Sequence, residues 1–283
     1  MGNSINLPLL DVPRLLRQYG LRPDQRLGQV FLVDPVALRR VTEAADITKS
    51  DTVLEIGAGL GSLTRYLAVR AGSVIAVELD ANLIPPLEHV LSPYHNVLVV
   101  QGDILELDLA QLIQAPDYLV VANIPYYITS ALIRHLLDSS VRPKRIVLTV
   151  QREVVARICA APGEMNLLAL SVQVFGQPQI MAHIPAGAFY PSPKIDSAVV
   201  RIDLYPSPVI PYPILETFFH LAKAGFSQKR KTLRNSFAGG LALKPSEAEH
   251  LLQAAGLDPR RRAETLNLDE WGRLATIYGG GSI

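Results

Sequence analysis

Five short apolar runs, separated by segments of helical pattern, restrict the fold of this chain more than any other feature. They are "TVLEI" (52–56), "SVIAV" (73–77), "NVLVV" (96–100), "YLVVA" (118–122) and "RIVLTV" (145–150). Each is rich in β-branched residues and unbroken by charge at its centre, as expected of strands buried on both faces of a parallel sheet. Between the first two, Leu60, Leu63, Thr64, Leu67 and Ala68 recur at helical spacing, and Leu83, Ile84, Leu87, Val90 and Leu91 do so between the second and third. Strand and helix alternating over roughly 150 residues predict a doubly wound α/β domain. Ahead of it, "VDPVALRRVTEAADI" predicts a helix capped by Asp34, with Pro35 at its first position and Val36, Val41, Ala44 and Ala45 on one face.

Further along, "NLLALSVQVFG" (166–176) fits a helix or a strand equally well, whereas "SAVVRIDL" (197–204) alternates like a strand. The proline-rich "YPSPVIPYP" (205–213) reads as a linker. Three amphipathic helical patterns follow, "ILETFFHLAKAGF", "PSEAEHLLQAAG" and "NLDEWGRLATIYG". The expected division is therefore an α/β domain over 1–205 and a small all-α domain over 206–283, without internal repeats. No stretch approaches the roughly 18 apolar residues of a membrane span, and the N-terminus lacks the pattern of a secretory signal. A single cysteine, Cys159, excludes an internal disulfide and suits a reducing, cytoplasmic setting. The six histidines are scattered, so no metal site is expected. Net charge is only +1, yet "KAGFSQKRKTLRN" (223–235) and "PRRRAE" (259–264) gather positive charge near the C-terminus. Arg14, Arg17, Arg22 and Arg26 form a second basic zone. Aromatic residues such as Phe226 and Phe237 interleave with the first cluster, a pattern that admits nucleic acid as a partner.

The first apolar run ends in "EIGAGLG", with Gly57, Gly59 and Gly61 two residues after Glu55. Glycines at a strand-to-helix turn let the backbone fold tightly and a ligand approach closely. A dinucleotide fingerprint would place its third glycine at position 62, where Ser62 stands, and this argues against NAD or FAD. Glu78 closes the second strand and is positioned to accept from a ribose diol. Asp103, after the third strand, can accept from an adenine amine while Ile104 packs on the ring. Acids at successive strand ends beside a glycine turn suit a nucleoside without a diphosphate. The constellation resembles the class I S-adenosyl-L-methionine (SAM) methyltransferases, of Rossmann-like α/β fold.

The fourth run leads into "NIPYY" (123–127). An exocyclic aromatic amine is a poor nucleophile because its lone pair is delocalised into the ring. The Asn123 amide oxygen and a main-chain carbonyl beside Pro125 can accept its two N–H bonds and aim that lone pair. Proline presets the carbonyl direction, and Tyr126 offers a ring for a base that has left its stack. Such chemistry needs orientation more than a general base. Tyr127 is expected to pack beneath the loop.

"NIPY" together with "AFYPSPKIDSAVVRI" (188–202) resembles the rRNA adenine N6-dimethyltransferases. Four more stretches are similar to the branch that modifies small-subunit (16S-type) rRNA: "RLGQVFLVD" (26–34), "QREVVARICAAPG" (151–163), "FSQKRKTLRNSF" (226–237) and "RRAETLNLDEW" (261–271). The resemblance runs from about residue 20 to the end. It implies that Gly57, Gly59, Glu78, Leu79, Asp103, Ile104 and Asn123 hold SAM, with main-chain help around Val30 and Leu32. It implies that Asn123, Ile124, Pro125 and Tyr126 position the target amine and that Phe189 stacks on the other face of the adenine. The implied substrate is a pair of adjacent adenosines in a hairpin near the 3′ end of small-subunit rRNA, each methylated twice with release of S-adenosyl-L-homocysteine, during small-subunit biogenesis. Lys229, Arg230, Lys231 and Arg234 would contact phosphates, and the protein would act as a monomer. For Arg260–Arg262 two roles are open, RNA contact or salt bridges to the main domain, the first being favoured. Where the family carries asparagine in "GQNFL" this chain has Val30, which predicts a lost side-chain hydrogen bond and weaker SAM binding. Competing expectations are a large-subunit rRNA methylase of the macrolide-resistance type, an adenine-specific DNA methylase, and a non-enzymatic RNA-binding factor on the same fold.

Overall fold

The computed structural model describes residues 7–124, 128–228 and 230–280. The chain runs α1 (Val12–Gln18), β1 (Phe31–Leu32), α2 (Pro35–Ala45), β2 (Thr52–Ile56), α3 (Ser62–Arg70), β3 (Ser73–Glu78), α4 (Ile84–Leu91) and β4 (Val97–Gln101). It continues through α5 (Leu109–Leu112), β5 (Leu119–Asn123), α6 (Thr129–Asp138), β6 (Arg145–Gln151), α7 (Arg152–Ile158), α8 (Leu167–Gln173), β7 (Gly176–Ile184), β8 (Phe189–Tyr190) and β9 (Ser197–Leu204). Four helices close it: α9 (Tyr212–Phe226), α10 (Leu233–Gly240), α11 (Pro245–Ala254) and α12 (Leu268–Gly279).

Seven strands form one sheet in the order β4-β3-β2-β5-β6-β9-β7. From β4 to β6 neighbouring strands are parallel, and β9 joins β6 antiparallel. Strand order reverses between β2 and β5, where an open α/β sheet leaves a crevice at the strands' carboxyl ends. The expected strands all form, and the fold is the Rossmann-like α/β architecture with a C-terminal helical region. One expectation fails in detail. "NVLVV" is not buried on both faces, because β4 is the outer strand of the sheet, and Leu98 is 56% exposed.

Asp34 caps α2 as expected, its Oδ1 accepting from Ala37 N at 2.7 Å. The buried face of α2 is Ala37, Leu38, Val41, Thr42, Ala44 and Ala45, whereas Val36 is exposed. The predicted grouping of Val36 with Val41 is corrected: five residues at 100° each put them about 140° apart on the helix. Leu38, Val41 and Ala45 pack with Leu67 of α3 and with Val53, Val121, Val147 and Val199 of four adjacent strands. Asp51, just before β2, is buried and accepts from Thr48 N (2.7 Å), Thr48 Oγ1 (2.8 Å) and Lys144 Nζ (2.6 Å).

Two compact units emerge, 1–155 with 179–204, and 156–178 with 205–283. The helical unit thus takes in residues 156–178, upstream of the boundary expected at 205. The ambiguous "NLLALSVQVFG" is helix α8 followed by a turn into β7. Within that unit Tyr205 N donates to Phe175 O and Val209 N to Val174 O, so the proline-rich stretch lies against the end of α8. Gly163 N and Met165 N both donate to Glu264 O. Trp271 of α12 is fully buried between the rings of Phe226 and Phe237.

Candidate cofactor and substrate site

The strands' carboxyl ends open into a cavity of about 270 Å³ in the first unit. Its glycine wall follows from the way β2 turns into α3. Gly57 N and Ala58 N donate to Val77 O, at 2.9 and 3.1 Å, which ties the turn to β3. Gly57 and Gly59 have φ of +76° and +58°, the left-handed region that a residue with Cβ enters only at a cost. A Cβ on Gly59 would also stand 3.0 Å from Phe31 Cδ1. The glycine thus serves the close approach of the chain's own β1 as well as ligand access.

Glu78 closes β3, 7% exposed, and both of its oxygens are engaged: Oε2 accepts from Gly59 N at 2.7 Å and Oε1 from Asp80 N at 2.9 Å. Burial raises its pKa, with repulsion from Asp80 adding to it and the main-chain donors opposing it. Each carboxylate oxygen retains a second acceptor site, the capacity a ribose diol needs. Asp103 Oδ1 accepts from Leu105 N at 2.9 Å, and Oδ2 makes no hydrogen bond among the described residues. Ile104 beside it is buried, and Leu79 lines the cavity while partly exposed.

Asn123 ends β5, in register with Thr149 of β6. Its Nδ2 donates to Val30 O at 3.0 Å, so Oδ1 is the atom of the amide left to accept from a ligand. The same bond fastens the "GQVFL" segment across the cavity by its main chain, a contact indifferent to the side chain at position 30. Val30 itself packs against the core. A two-stranded ribbon adds the remaining wall: β1 and β8 pair antiparallel, with Leu32 opposite Phe189 and Phe31 opposite Tyr190. Val33 N and Asp34 N reinforce it by donating to Ala188 O. Phe189 is buried and lines the cavity with Val30, Leu32 and Ile124.

Val30, Leu32, Gly57, Gly59, Glu78, Leu79, Asp103, Ile104, Asn123, Ile124 and Phe189 therefore meet around one cavity. Pro125, Tyr126 and Tyr127 lie outside the described residues, as does Lys229. Three contributors were assigned no role from the sequence, Phe31 against Gly59, Ile128 ahead of α6, and Gln29, whose Nε2 donates to Asp80 Oδ2 at 2.7 Å; Ser62, weighed there only against a dinucleotide fingerprint, stands in the wall. Only the unbroken "GQVFL" motif hinted at Phe31 and Gln29.

The lining is mostly apolar and holds three carboxyl groups, Glu55, Glu78 and Asp103, with no Lys, Arg or His among the described residues. Such a wall repels a phosphate and favours a cation. A nucleoside bearing a sulfonium fits that charge, the glycine cradle and the acceptors of Glu78 and Asp103; a dinucleotide does not. Among the described residues no group of His, Cys, Asp and Glu could hold a metal ion.

The charged residues of the second unit are arranged differently from expectation. Arg230, Lys231 and Arg234 are exposed, and Arg234 pairs with Glu249 at 3.3 Å. Arg261 is engaged within its own unit. Its guanidinium binds Glu270 of α12 through two nitrogens, at 2.5 and 3.1 Å, and donates to Thr265 O. Arg260 pairs with Asp258 and Arg262 with Glu264, so all three find acids within their own segment.

The profile of the family described as ribosomal RNA adenine dimethylase matches residues 21–278. A "Ribosomal RNA small subunit methyltransferase A" of Dehalococcoides mccartyi (strain BAV1) is 42% identical over 289 residues, 99% of each chain. One of Moorella thermoacetica is 42% identical over 272 residues, covering 92% of this chain and 94% of its own. Among solved structures, a dimethyladenosine transferase from Plasmodium falciparum superposes with a TM-score of 0.74 at 26% identity, covering 88% of this chain and 98% of its own. The 23S rRNA methyltransferase ErmE gives 0.71 at 27% identity, with 87% and 98% covered. Profile, relatives and fold agree along nearly the whole length: the chain belongs to the ribosomal RNA adenine dimethylase family of methyltransferases.

Proposed function

We propose that the cavity binds SAM and that the protein dimethylates the N6 amines of two adjacent adenosines in a hairpin near the 3′ end of small-subunit rRNA, during assembly of that subunit. The observation that carries this reading is the junction at Asn123. There the cation-favouring cavity meets an amide whose nitrogen is anchored on Val30 O, which leaves Oδ1 to accept from the target amine. SAM, when bound, supplies a methyl group on a sulfonium that departs as a neutral thioether. Asn123 Oδ1 takes one N–H of the adenine and holds the nitrogen lone pair toward the cavity. Phe189 gives the base an aromatic face and, with Ile124 and Leu32, excludes water from the reacting end. Glu78 and Asp103 hold the nucleoside end through their remaining acceptor sites. Pro125 and Tyr126 have the roles of setting the carbonyl direction and stacking.

Small-subunit rRNA is favoured over large-subunit rRNA by the relatives at about 42% identity, which carry the small-subunit name along their full length. The decisive experiment incubates the protein and labelled SAM with undermethylated small subunits, mature small subunits, large-subunit RNA and duplex DNA, then maps the labelled base. Label on adjacent adenosines of the undermethylated small subunit is expected; label on DNA or on large-subunit RNA alone overturns the reading. Asn123→Ala separates catalysis from a purely RNA-binding role. Methyl transfer should fall by at least two orders of magnitude while RNA affinity stays within about twofold, as befits loss of a transition-state contact. Retained transfer would remove Asn123 from the reaction.

A further inference from the structure

The sheet beside Asn123 contains a hydroxyl that the roles above leave unused. Asn123, Thr149 and Val199 stand side by side on β5, β6 and β9, register partners across three adjacent strands. Register partners present their side chains to the same face of a sheet, and successive residues alternate between faces. Val121 and Val147, two residues earlier on β5 and β6, pack in one core with Val199 and Phe189. Thr149 therefore points to that face, next to the Asn123 amide.

Thr149 is fully buried, and its Oγ1 has no hydrogen-bond partner among the described residues. Valine has the same shape and occupies positions 121, 147 and 199 around it, so packing alone does not call for a hydroxyl here. A buried hydroxyl without a partner is destabilising where a valine is not, and departures of this kind concentrate at functional sites. A partner stands on the neighbouring strand. An amide nitrogen carries two N–H bonds. Asn123 Nδ2 gives one to Val30 O, at 3.0 Å, and the second makes no hydrogen bond among the described residues. An unfilled acceptor and an unused donor thus lie at adjacent register positions, beside the oxygen assigned to the target amine.

We propose that Thr149 is a positioning residue for methyl transfer. As the adenine seats, Thr149 Oγ1 turns about χ1 to accept the second N–H of Asn123 and locks the amide with Oδ1 toward the target nitrogen. The inference rests on the reading that Asn123 holds that amine. Two effects follow. An amide held at both Val30 O and Thr149 does not flip to present its nitrogen, which would meet the amine donor to donor. Donation through both N–H bonds also strengthens Oδ1 as an acceptor. After the first methylation the target nitrogen keeps a single N–H and has one hydrogen bond fewer to orient it. The second transfer therefore leans harder on a fixed Asn123.

Thr149→Val keeps the volume and removes the hydroxyl, and single-turnover transfer from labelled SAM to undermethylated small subunits is the test. The first transfer should slow by about fivefold to tenfold, as for loss of one hydrogen bond. The second should slow further, so that N6-monomethyladenosine accumulates in the digested rRNA. The SAM dissociation constant and the rRNA affinity should stay within about twofold. The melting temperature should not fall, since the variant buries no unpaired hydroxyl. Thr149→Ser, which restores the oxygen, should recover most of the rate. In an Asn123→Ala background, Thr149→Val should slow the residual transfer no further. Full activity of Thr149→Val with an unaltered ratio of monomethyl to dimethyl product overturns the proposal. So does a loss that follows a lowered melting temperature and that Thr149→Ser does not relieve. An unaltered protein that transfers no methyl group to small subunits would instead overturn the reading of the site, and the proposal with it.

Discussion

Gly59 shows how one residue joins fold to site. Its φ of +58° and the 3.0 Å approach of Phe31 to the position of a Cβ mean that alanine there meets two separate penalties. The left-handed backbone costs about 1–2 kcal/mol, and the ring must shift besides. Gly59→Ala should therefore lower the unfolding free energy by roughly 1–3 kcal/mol in a denaturant titration. It should also weaken SAM binding by more than tenfold, since Gly59 N would no longer meet Glu78 Oε2 squarely. A variant of unchanged stability and affinity would mean that the turn is slack. The G-x-G-x-G spacing and the order of strand ends announced the ligand's approach in the sequence. Phe31 as the neighbour was invisible, because the contact links β1 to the β2–α3 turn through the ribbon with β8. Glu55 was visible only as a motif letter; its complete burial between β3 and β5 is a property of three dimensions.

At the scale of elements, the strands were the legible part, since continuous apolar runs admit few other fates. What local pattern could not supply was position within the sheet: β4 reads like its neighbours yet lies outermost, and β7 emerges from a stretch equally good as helix. Long-range polar ties were equally hidden. Asp51, before β2, is held by Thr48 and by Lys144, a residue 93 positions away at the start of β6. Burial alone would push its carboxyl up, but the Lys144 ammonium and the Thr48 donors outweigh it and hold the pKa below the ordinary 3.8. A depressed carboxylate stabilises the fold above its unfolded pKa and loses that contribution as pH falls through the folded value. Asp51→Ala strands those donors and should cost about 1–3 kcal/mol at neutral pH. The cost should shrink as the unaltered protein is taken below pH 4 and its own carboxylate protonates. Unfolding titrations of both proteins across that range measure it; a difference independent of pH would assign the loss to packing alone.

For the molecule as a whole, a net charge of +1 conceals a basic segment, 228–235, whose partner is the remaining question. The sequence located the charge but not its neutralisation. Arg261, read as a candidate for RNA, is bound to Glu270, and Arg234 leans on Glu249, while Arg230 and Lys231 are exposed and make no ion pair among the described residues. These four cations should therefore contribute unequally to binding a polyanion. Each phosphate contact adds about 0.7–0.9 to the slope of log affinity against log salt, from counterion release. Replacing both Arg230 and Lys231 by glutamine should flatten the slope by roughly 1.4–1.8. Arg234→Gln should flatten it by less than one contact's worth, because Glu249 already competes for that guanidinium. Conversely, Glu249→Gln frees Arg234 and should steepen the slope. Arg261→Gln should leave the slope alone while lowering the stability of the helical unit, where its bonds to Glu270 and Thr265 O hold the start of α12. Filter binding of a small-subunit rRNA hairpin between 50 and 300 mM salt distinguishes these outcomes. Equal slopes for all four variants would move the RNA surface away from this segment. A large effect from Arg261 alone would mean that its pairing with Glu270 opens on RNA.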